Sequence, residues 1–124
     1  MALETLKLYE ERNILDHVRR MIPVFQERLS AFGAHALIGE VRAIGLFGAV
    51  ELVQDKVSRA PFETSIGVGA RAAAFAQDEG LILRAIADSL ALCPPLIITE
   101  PKLNEMFDSL LERALDSTQR ALGL

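Results

Sequence analysis

The spacing of apolar residues changes twice along the chain, and this change limits the folds that the chain can adopt. Over residues 14–32 and again over residues 103–122, apolar side chains recur every three or four positions, as in an amphipathic helix. The segment from Val41 to Val53 is instead rich in β-branched and aromatic residues, and Gly45 and Gly48 within it favour a strand or a bent hairpin. Helical ends around a strand-forming middle predict a mixed fold.

The N-terminal part predicts helix with a break. Asn13 readily adopts the left-handed conformation, so we expect a short helix to end there and a second helix to follow. Pro23 lies inside the second helical pattern and predicts a kink or a further break near Met21 and Ile22. Gly33 is expected to end this helix.

The second half of the chain predicts a loop, a helix and two short strands. In that order they are residues 54–64, residues 66–77, Leu81–Ala87 and Leu90–Cys93. Asp88 and Ser89 are a suitable tight-turn pair between the two strands. Pro94 and Pro95 then end the pairing, because neither residue can donate a ladder hydrogen bond.

The last element is a long helix, expected from about Glu100 to Ala121. Thr99 is a good N-cap, and Pro101 is tolerated in the first turn. Its apolar face is Leu103, Met106, Phe107, Leu110, Leu111, Ala114, Leu115 and Leu122. The element order therefore predicts a single α+β domain over residues 1–124: a small antiparallel sheet of three to four strands with helices packed on one face.

Composition and charge exclude several classes of protein. The chain has 124 residues, 51% of them apolar, and 13 basic against 17 acidic residues give a net charge of −4. This composition excludes global disorder, and the mild acidity argues against a nucleic-acid partner. No run approaches the ~18 apolar residues of a membrane span, and no signal peptide is evident, so we expect a cytoplasmic protein. The single cysteine cannot form an internal disulfide, and no cysteine or histidine cluster has metal-site spacing.

The motifs that suggest chemistry are weak. Residues 67–72 match a loose dinucleotide-binding pattern, but no buried strand precedes them, so a glycine-containing helix start is favoured. No serine lies in a nucleophile elbow, and His17 and His35 fall in no metal or base motif, so no catalytic residue is expected. Cys93, between Leu92 and Pro94, is interpreted as a small buried hydrophobic residue.

Arg84 is the candidate site residue. Alternation along its strand predicts an outward-facing side chain, and a guanidinium on a strand beside a turn is suited to bidentate binding of a carboxylate. On the residues alone, an ordinary exposed surface arginine is the favoured interpretation.

Several strings of the sequence resemble segments of the class III (omega) aminotransferases. They lie in the family's order with its spacing intact: Ala2–Val18, Arg42–Leu52, Glu79–Arg84, Asp88–Leu90 and Cys93–Thr99. Ala43 and Ala87 stand where the family often has glycine. The resemblance covers essentially the whole chain, and several strings together are far more specific than any one of them.

The resemblance implies the C-terminal small domain of a fold type I enzyme that depends on pyridoxal phosphate (PLP). The lysine that holds PLP, its aspartate partner and the phosphate-binding residues would belong to a large domain, and Lys7, Lys56 and Lys102 do not match that lysine. No cofactor-binding residue is therefore expected in this chain. Arg84 aligns with a mobile arginine that, in related transaminases, binds a substrate carboxylate and swings aside for an apolar amine.

The function implied by the resemblance is that of an inactive part of a transaminase. The parent enzyme would exchange an amino group between an amine or amino acid and a keto acid, with the large domain as this chain's partner. We also expect a homo-oligomer, with the N-terminal helix and its Leu3 and Leu6 at or near the contact. The alternative is a stand-alone α+β module that binds a protein or small ligand without catalysis, and the reading frame upstream of Met1 would distinguish the two.

Overall fold

The structure is a computed structural model, which describes the backbone of residues 1–124 and every side chain except those of Ser109 and Leu110. Two helices, a hairpin, a helix, a second hairpin and a C-terminal helical segment follow one another. The helices are α1 (Ala2–Glu11), α2 (Ile14–Ala31), α3 (Val68–Asp78), α4 (Glu100–Glu105) and α5 (Glu112–Ala121). The strands are β1 (Ile38–Ile44), β2 (Phe47–Leu52), β3 (Arg84–Ile86) and β4 (Ser89–Leu92).

The break between the first two helices lies where the sequence predicts it. Asn13 adopts the left-handed conformation, with φ 50° and ψ 43°, and serves as the N-cap residue of α2. Of the kink or further break predicted near Met21 and Ile22, the break is wrong, because α2 continues through Pro23. Burial explains this result: Phe25, on the C-terminal side of the proline, is fully buried and holds the helix against the core.

The four strands form one antiparallel sheet in the order β1-β2-β4-β3, which confirms the predicted fold class. The first hairpin begins at Ile38, three residues earlier than predicted, and turns at Gly45, whose φ is 55°. The second hairpin turns at Ala87 and Asp88 instead of Asp88 and Ser89. Ser89 belongs to the ladder because it pairs with Ile86 on one side and with Glu51 on the other.

The third strand is shorter than the predicted Leu81–Ala87, with only three residues in the ladder. Residues 81–83 precede it without pairing into the sheet. The backbone N–H of Leu81 instead donates to the carbonyl of Ala76 at 2.8 Å, which ties this segment to the end of α3. Ala87 ends the strand because its φ of 51° is incompatible with extended backbone.

The core lies between the helices and one face of the sheet. Alternate residues of β2 and β4, among them Val50, Leu52, Leu90 and Leu92, are buried against α2, α3 and the C-terminal helical segment. Phe107 stacks at a tilt on both Phe25 and Phe32, with ring centroids 5.6 and 5.7 Å apart. The large apolar side chains of the C-terminal segment that are fully buried include Leu103, Phe107, Leu111 and Leu115. The predicted contribution of Leu110 to this apolar face falls on a side chain outside the described ones.

The C-terminal helical segment has the predicted extent but not a uniform hydrogen-bond pattern. It begins after Thr99, whose hydroxyl oxygen accepts from the backbone N–H of Lys102 at 3.4 Å, as the sequence predicts. Residues Met106–Leu111 then form a π-helical stretch between α4 and α5. In this conformation each N–H bonds the carbonyl five residues back, a difference that apolar spacing does not reveal.

Ala87→Gly is expected to stabilise the domain by about 0.5–1 kcal/mol. The left-handed conformation costs alanine about 1–2 kcal/mol, and glycine removes this cost. Part of the stabilisation is offset, because glycine also gives the unfolded chain more conformational entropy. Urea denaturation measures the change. Ala43→Gly is the matched control: Ala43 is an exposed strand residue at ordinary negative φ, where glycine is expected to destabilise. A stability for Ala87→Gly at or below that of Ala43→Gly would contradict the strain argument.

Candidate functional site

One face of the sheet is left uncovered by the helices, and we call it the open face. Because directly paired residues of an antiparallel ladder point to the same side, the register assigns its members. They are Glu40, Arg42 and Ile44 on β1; Phe47, Ala49 and Glu51 on β2; Ser89 and Ala91 on β4; and Arg84 and Ile86 on β3. None of these side chains is buried.

Two arginines lie in one row across the open face. Arg84 pairs with Ala91, Ala91 with Ala49, and Ala49 with Arg42. Three strand spacings separate the first residue from the last, so the two arginine Cα atoms are about 14 Å apart. The row therefore carries a guanidinium at each end and a small, flat apolar floor between them.

Apolar side chains flank the arginine row on both sides. Ile44 is 77% exposed, Phe47 51% and Ile86 56%, and with Arg42 they border a depression of about 440 Å³. In the adjacent row, Ser89 stands next to the directly paired Glu40 and Glu51. The open face thus combines exposed apolar surface with guanidinium groups, an arrangement suited to a ligand with an apolar body and a carboxylate.

Arg84 occupies the position that alternation predicts. Its side chain is exposed, and it makes no hydrogen bond or ion pair within the described part of the chain. Its guanidinium can therefore offer a bidentate pair of N–H groups to a carboxylate. Sequence reasoning missed Arg42 as a neighbour in the same row. The turn at Gly45 was the signal that could have identified it, because this turn sets the register that pairs Arg42 with Ala49.

The turn next to Arg84 packs on the N-terminus of α3. Gly67, at φ 63°, is the N-cap residue, so the predicted helix start is confirmed, and a 3-10 turn instead of a strand precedes it. Gly69 comes so close to the turn that a Cβ on it would lie 2.0 Å from the carbonyl oxygen of Ala87. The backbone N–H of Gly69 donates to the Asp88 carboxylate at 3.1 Å.

The two histidines make hydrogen-bonding contacts in separate parts of the structure. His17 Nε2 lies 2.6 Å from the carbonyl oxygen of Ile98 and joins α2 to the segment before α4. His35 accepts from the backbone N–H of Leu37 at 3.2 Å through Nδ1, and its Nε2 lies 3.1 Å from the Asp116 carboxylate. Because Nδ1 accepts, the hydrogen of a neutral His35 ring resides on Nε2.

Cys93 corrects a prediction, because it is exposed instead of buried. Leu92 takes the last core position of β4, so the next side chain points away from the core. Cys93 lies at a groove of about 530 Å³ whose lining includes Leu83, Ile97 and Met106.

The three lysines lie at the surface, and each makes a polar contact there. Lys7 pairs with Glu4 at 3.3 Å and Lys102 with Glu105 at 3.1 Å, both on exposed helical surface. Lys56 donates to the carbonyls of Gly33 and His35. Each ammonium group is thus engaged at the surface, and none lies in the depression on the open face.

Asp55, in the loop after β2, accepts three hydrogen bonds from neighbouring residues. The Ser58 hydroxyl and the backbone N–H groups of Val57 and Ser58 donate to Asp55, and these bonds lower the pKa of its carboxyl.

Within the described residues, no three metal-ligating side chains come together. No helix in the described part of the chain is both long and apolar enough to cross a bilayer.

Comparison with known proteins places this arrangement in a family. A sequence model described as aminotransferase class-III matches residues 1–115. The chain belongs to the class-III aminotransferases. A gamma-aminobutyrate transaminase 1 of Oryza sativa subsp. indica, described as mitochondrial, is 39% identical over 123 residues, which are 99% of this chain and 24% of that protein.

Solved transaminase structures share both the sequence pattern and the fold. A structure described as a co-factor free transaminase superposes with a TM-score of 0.94 at 40% identity, over 99% of this chain and 29% of the other. An aminotransferase from Vibrio fluvialis, described as the PMP-bound form, has a TM-score of 0.90 at 41% identity, over 96% of this chain and 26% of the other. The chain therefore spans about a quarter of the length of these class-III relatives. The family depends on PLP, as the PMP-bound form of the Vibrio fluvialis enzyme indicates.

Proposed function

We propose that this chain is the small domain of a cytoplasmic class-III transaminase that exchanges an amino group between an amine or amino acid and a keto acid. The observation that carries the proposal is the match of nearly the whole chain, at 0.94 TM-score and 40% identity, to part of a transaminase. The partner in this proposal is a large domain that holds PLP, and the open face contributes to the substrate pocket. When bound in the complete enzyme, PLP supplies the electron sink for amino-group transfer.

In this proposal Arg84 binds the substrate carboxylate. Its exposed guanidinium stands beside Ala91 and Ile86 on a face with no cover from this chain's own helices. A planar guanidinium forms two parallel charge-assisted hydrogen bonds to a carboxylate, which fixes the orientation of the bound acid. The exposed apolar side chains on the same face suit the non-polar part of such a substrate.

If the proposal is correct, the isolated chain has no transaminase activity and holds no PLP covalently. Its three lysines are engaged at the surface by Glu4, by Glu105 and by backbone carbonyls. Incubation with PLP, reduction with borohydride and intact-mass measurement should show no stoichiometric attachment. Stoichiometric attachment at one specific lysine, together with turnover, would overturn this part of the proposal.

A chimeric enzyme, called the spliced transaminase below, tests the function itself. The chain would replace the matching quarter of the Vibrio fluvialis aminotransferase, and we expect the spliced enzyme to transaminate a keto acid. The same enzyme lacking this quarter is the control and should be inactive. A spliced protein that folds and binds PLP but transfers no amino group would contradict the proposal and favour a stand-alone binding module.

The isolated chain is expected to self-associate through α1. This helix has no buried residue, and Leu3 and Leu6 are 73% and 57% exposed. Burial of such side chains favours association, since each contributes roughly 1.5–3 kcal/mol when fully covered. Sedimentation across a concentration series should show a dimer that Leu6→Glu dissociates and that Lys7→Glu, on the same helix, leaves intact. A single monomeric species at all concentrations would contradict this expectation.

A further inference from the structure

The strand that carries Arg84 is weakly anchored by its own ladder. It lies at the edge of the sheet and forms only three residue pairs, all with β4. Arg84 is the first residue of this strand and pairs with Ala91. An edge strand this short needs contacts beyond the ladder to keep a fixed position.

Besides the bond from Leu81 to the end of α3, two such contacts are made by Asp88 in the turn. Its carbonyl oxygen accepts from the backbone N–H of Leu52 on β2 at 2.8 Å, and its side chain accepts from the backbone N–H of Gly69 on α3 at 3.1 Å. One residue thus joins the hairpin to both the neighbouring strand and a helix. The Asp88 side chain is half-buried, which shields the contact to Gly69 from water.

The Asp88 carboxylate also caps the first turn of α3. The first turn of an α-helix presents backbone N–H groups without internal partners, and an N-cap side chain usually accepts one of them. Gly67, the N-cap residue of α3, has no side chain, and Asp88 supplies the missing acceptor from another element. The partial positive charge of the helix N-terminus favours a carboxylate at this place.

We infer that Asp88 is the positioning residue for Arg84. By holding the turn on α3, it sets the register of β3 and hence the point from which the Arg84 guanidinium reaches a substrate carboxylate. This inference rests on the proposed function of Arg84. A shift of about 1 Å in a binding group costs up to about 100-fold in rate, so a loosened turn should weaken carboxylate recognition selectively.

The test uses the spliced transaminase and its two half-reactions, measured separately under single-turnover conditions. We expect Asp88→Ala to raise the concentration of keto acid needed for half-maximal rate about tenfold. The half-reaction with an amine that has no carboxylate should change less than about twofold, since Arg84 takes no part in it. Asp88→Asn should restore keto-acid binding, because its amide oxygen can still accept from Gly69.

A second variant and a second measurement cover the case in which Asp88→Ala does not fold. Asp88→Glu keeps the charge but lengthens the side chain, and it should show the same selective loss. In the isolated chain, amide exchange of Gly69 and of residues 84–86 should be faster in Asp88→Glu than in Asp88→Asn. Equal loss in both half-reactions, or no loss in either, would overturn the inference.

The outcomes separate this inference from the proposal on which it rests. If Arg84→Leu leaves keto-acid binding unchanged, the proposed role of Arg84 fails. If Arg84→Leu weakens keto-acid binding while Asp88→Ala and Asp88→Glu do not, only the positioning role of Asp88 fails.

Discussion

Gly69→Ala is expected to destabilise the domain by about 2 kcal/mol. The added Cβ would lie 2.0 Å from the Ala87 carbonyl oxygen and 3.1 Å from the Cα of Asp88, so it would meet backbone instead of a side chain that can rotate away. Either the turn or α3 must move, and the hydrogen bond from Gly69 to Asp88 is then lost. Alanine's better helix propensity offsets only about 1 kcal/mol of this cost.

The measurement is the free energy of unfolding in urea, with Gly33→Ala as the control. A Cβ on Gly33 would meet Cγ2 of Val41 at 3.7 Å, an ordinary van der Waals distance. Gly33→Ala should therefore stay within about 0.5 kcal/mol of the parent chain. Equal stability of the two variants would show that the turn is free to move away from α3.

The helices were predictable because their signals are local. The break at Asn13, the cap at Thr99 and the apolar period of α2 each depend on residues within a few positions of one another. The antiparallel pairing also followed, since short strands separated by tight turns pair with their neighbours, but the sequence left three or four strands open where the sheet has four.

The extents of the strands were less predictable because they depend on contacts between distant residues. β3 begins only at Arg84 because the preceding Leu81 bonds the end of α3, and it ends at the left-handed Ala87. The exposure of Cys93 likewise follows from Leu92 taking the core position at the end of β4. No local pattern distinguishes a residue in the ladder from one just beyond it.

The candidate site was predictable in part. Alternation along the strand indicated that Arg84 faces outward, but its partners in the row depend on the registers of two hairpins at once. Two structural neighbours of Arg84 were missed in this way: Arg42 at the other end of the row and the tie between Asp88 and Gly69. The tie joins residues 19 positions apart, through a glycine whose role is the close approach of two backbones.

Arg84→Leu in the spliced transaminase is expected to lower kcat/KM for the keto acid by at least about 100-fold. A charge-assisted hydrogen bond to a carboxylate contributes about 1.5–3 kcal/mol, and the bidentate pair loses both of its bonds when the guanidinium is removed. The half-reaction with a carboxylate-free amine should be unchanged or faster, because leucine offers the amine an apolar neighbour. Stability should change little, since the Arg84 side chain is exposed.

Arg42→Leu is the matched control for this measurement. Arg42 lies on the same face and in the same row as Arg84, so the substitution removes the same charge from the open face at a distance of about 14 Å. Because long-range electrostatic effects are screened over about 8–10 Å at physiological salt, Arg42→Leu should change kcat/KM for the keto acid by less than about threefold. Equal losses in the two variants would mean that the open face attracts the acid through its general charge, and no loss in either would exclude Arg84 as the residue that binds the carboxylate.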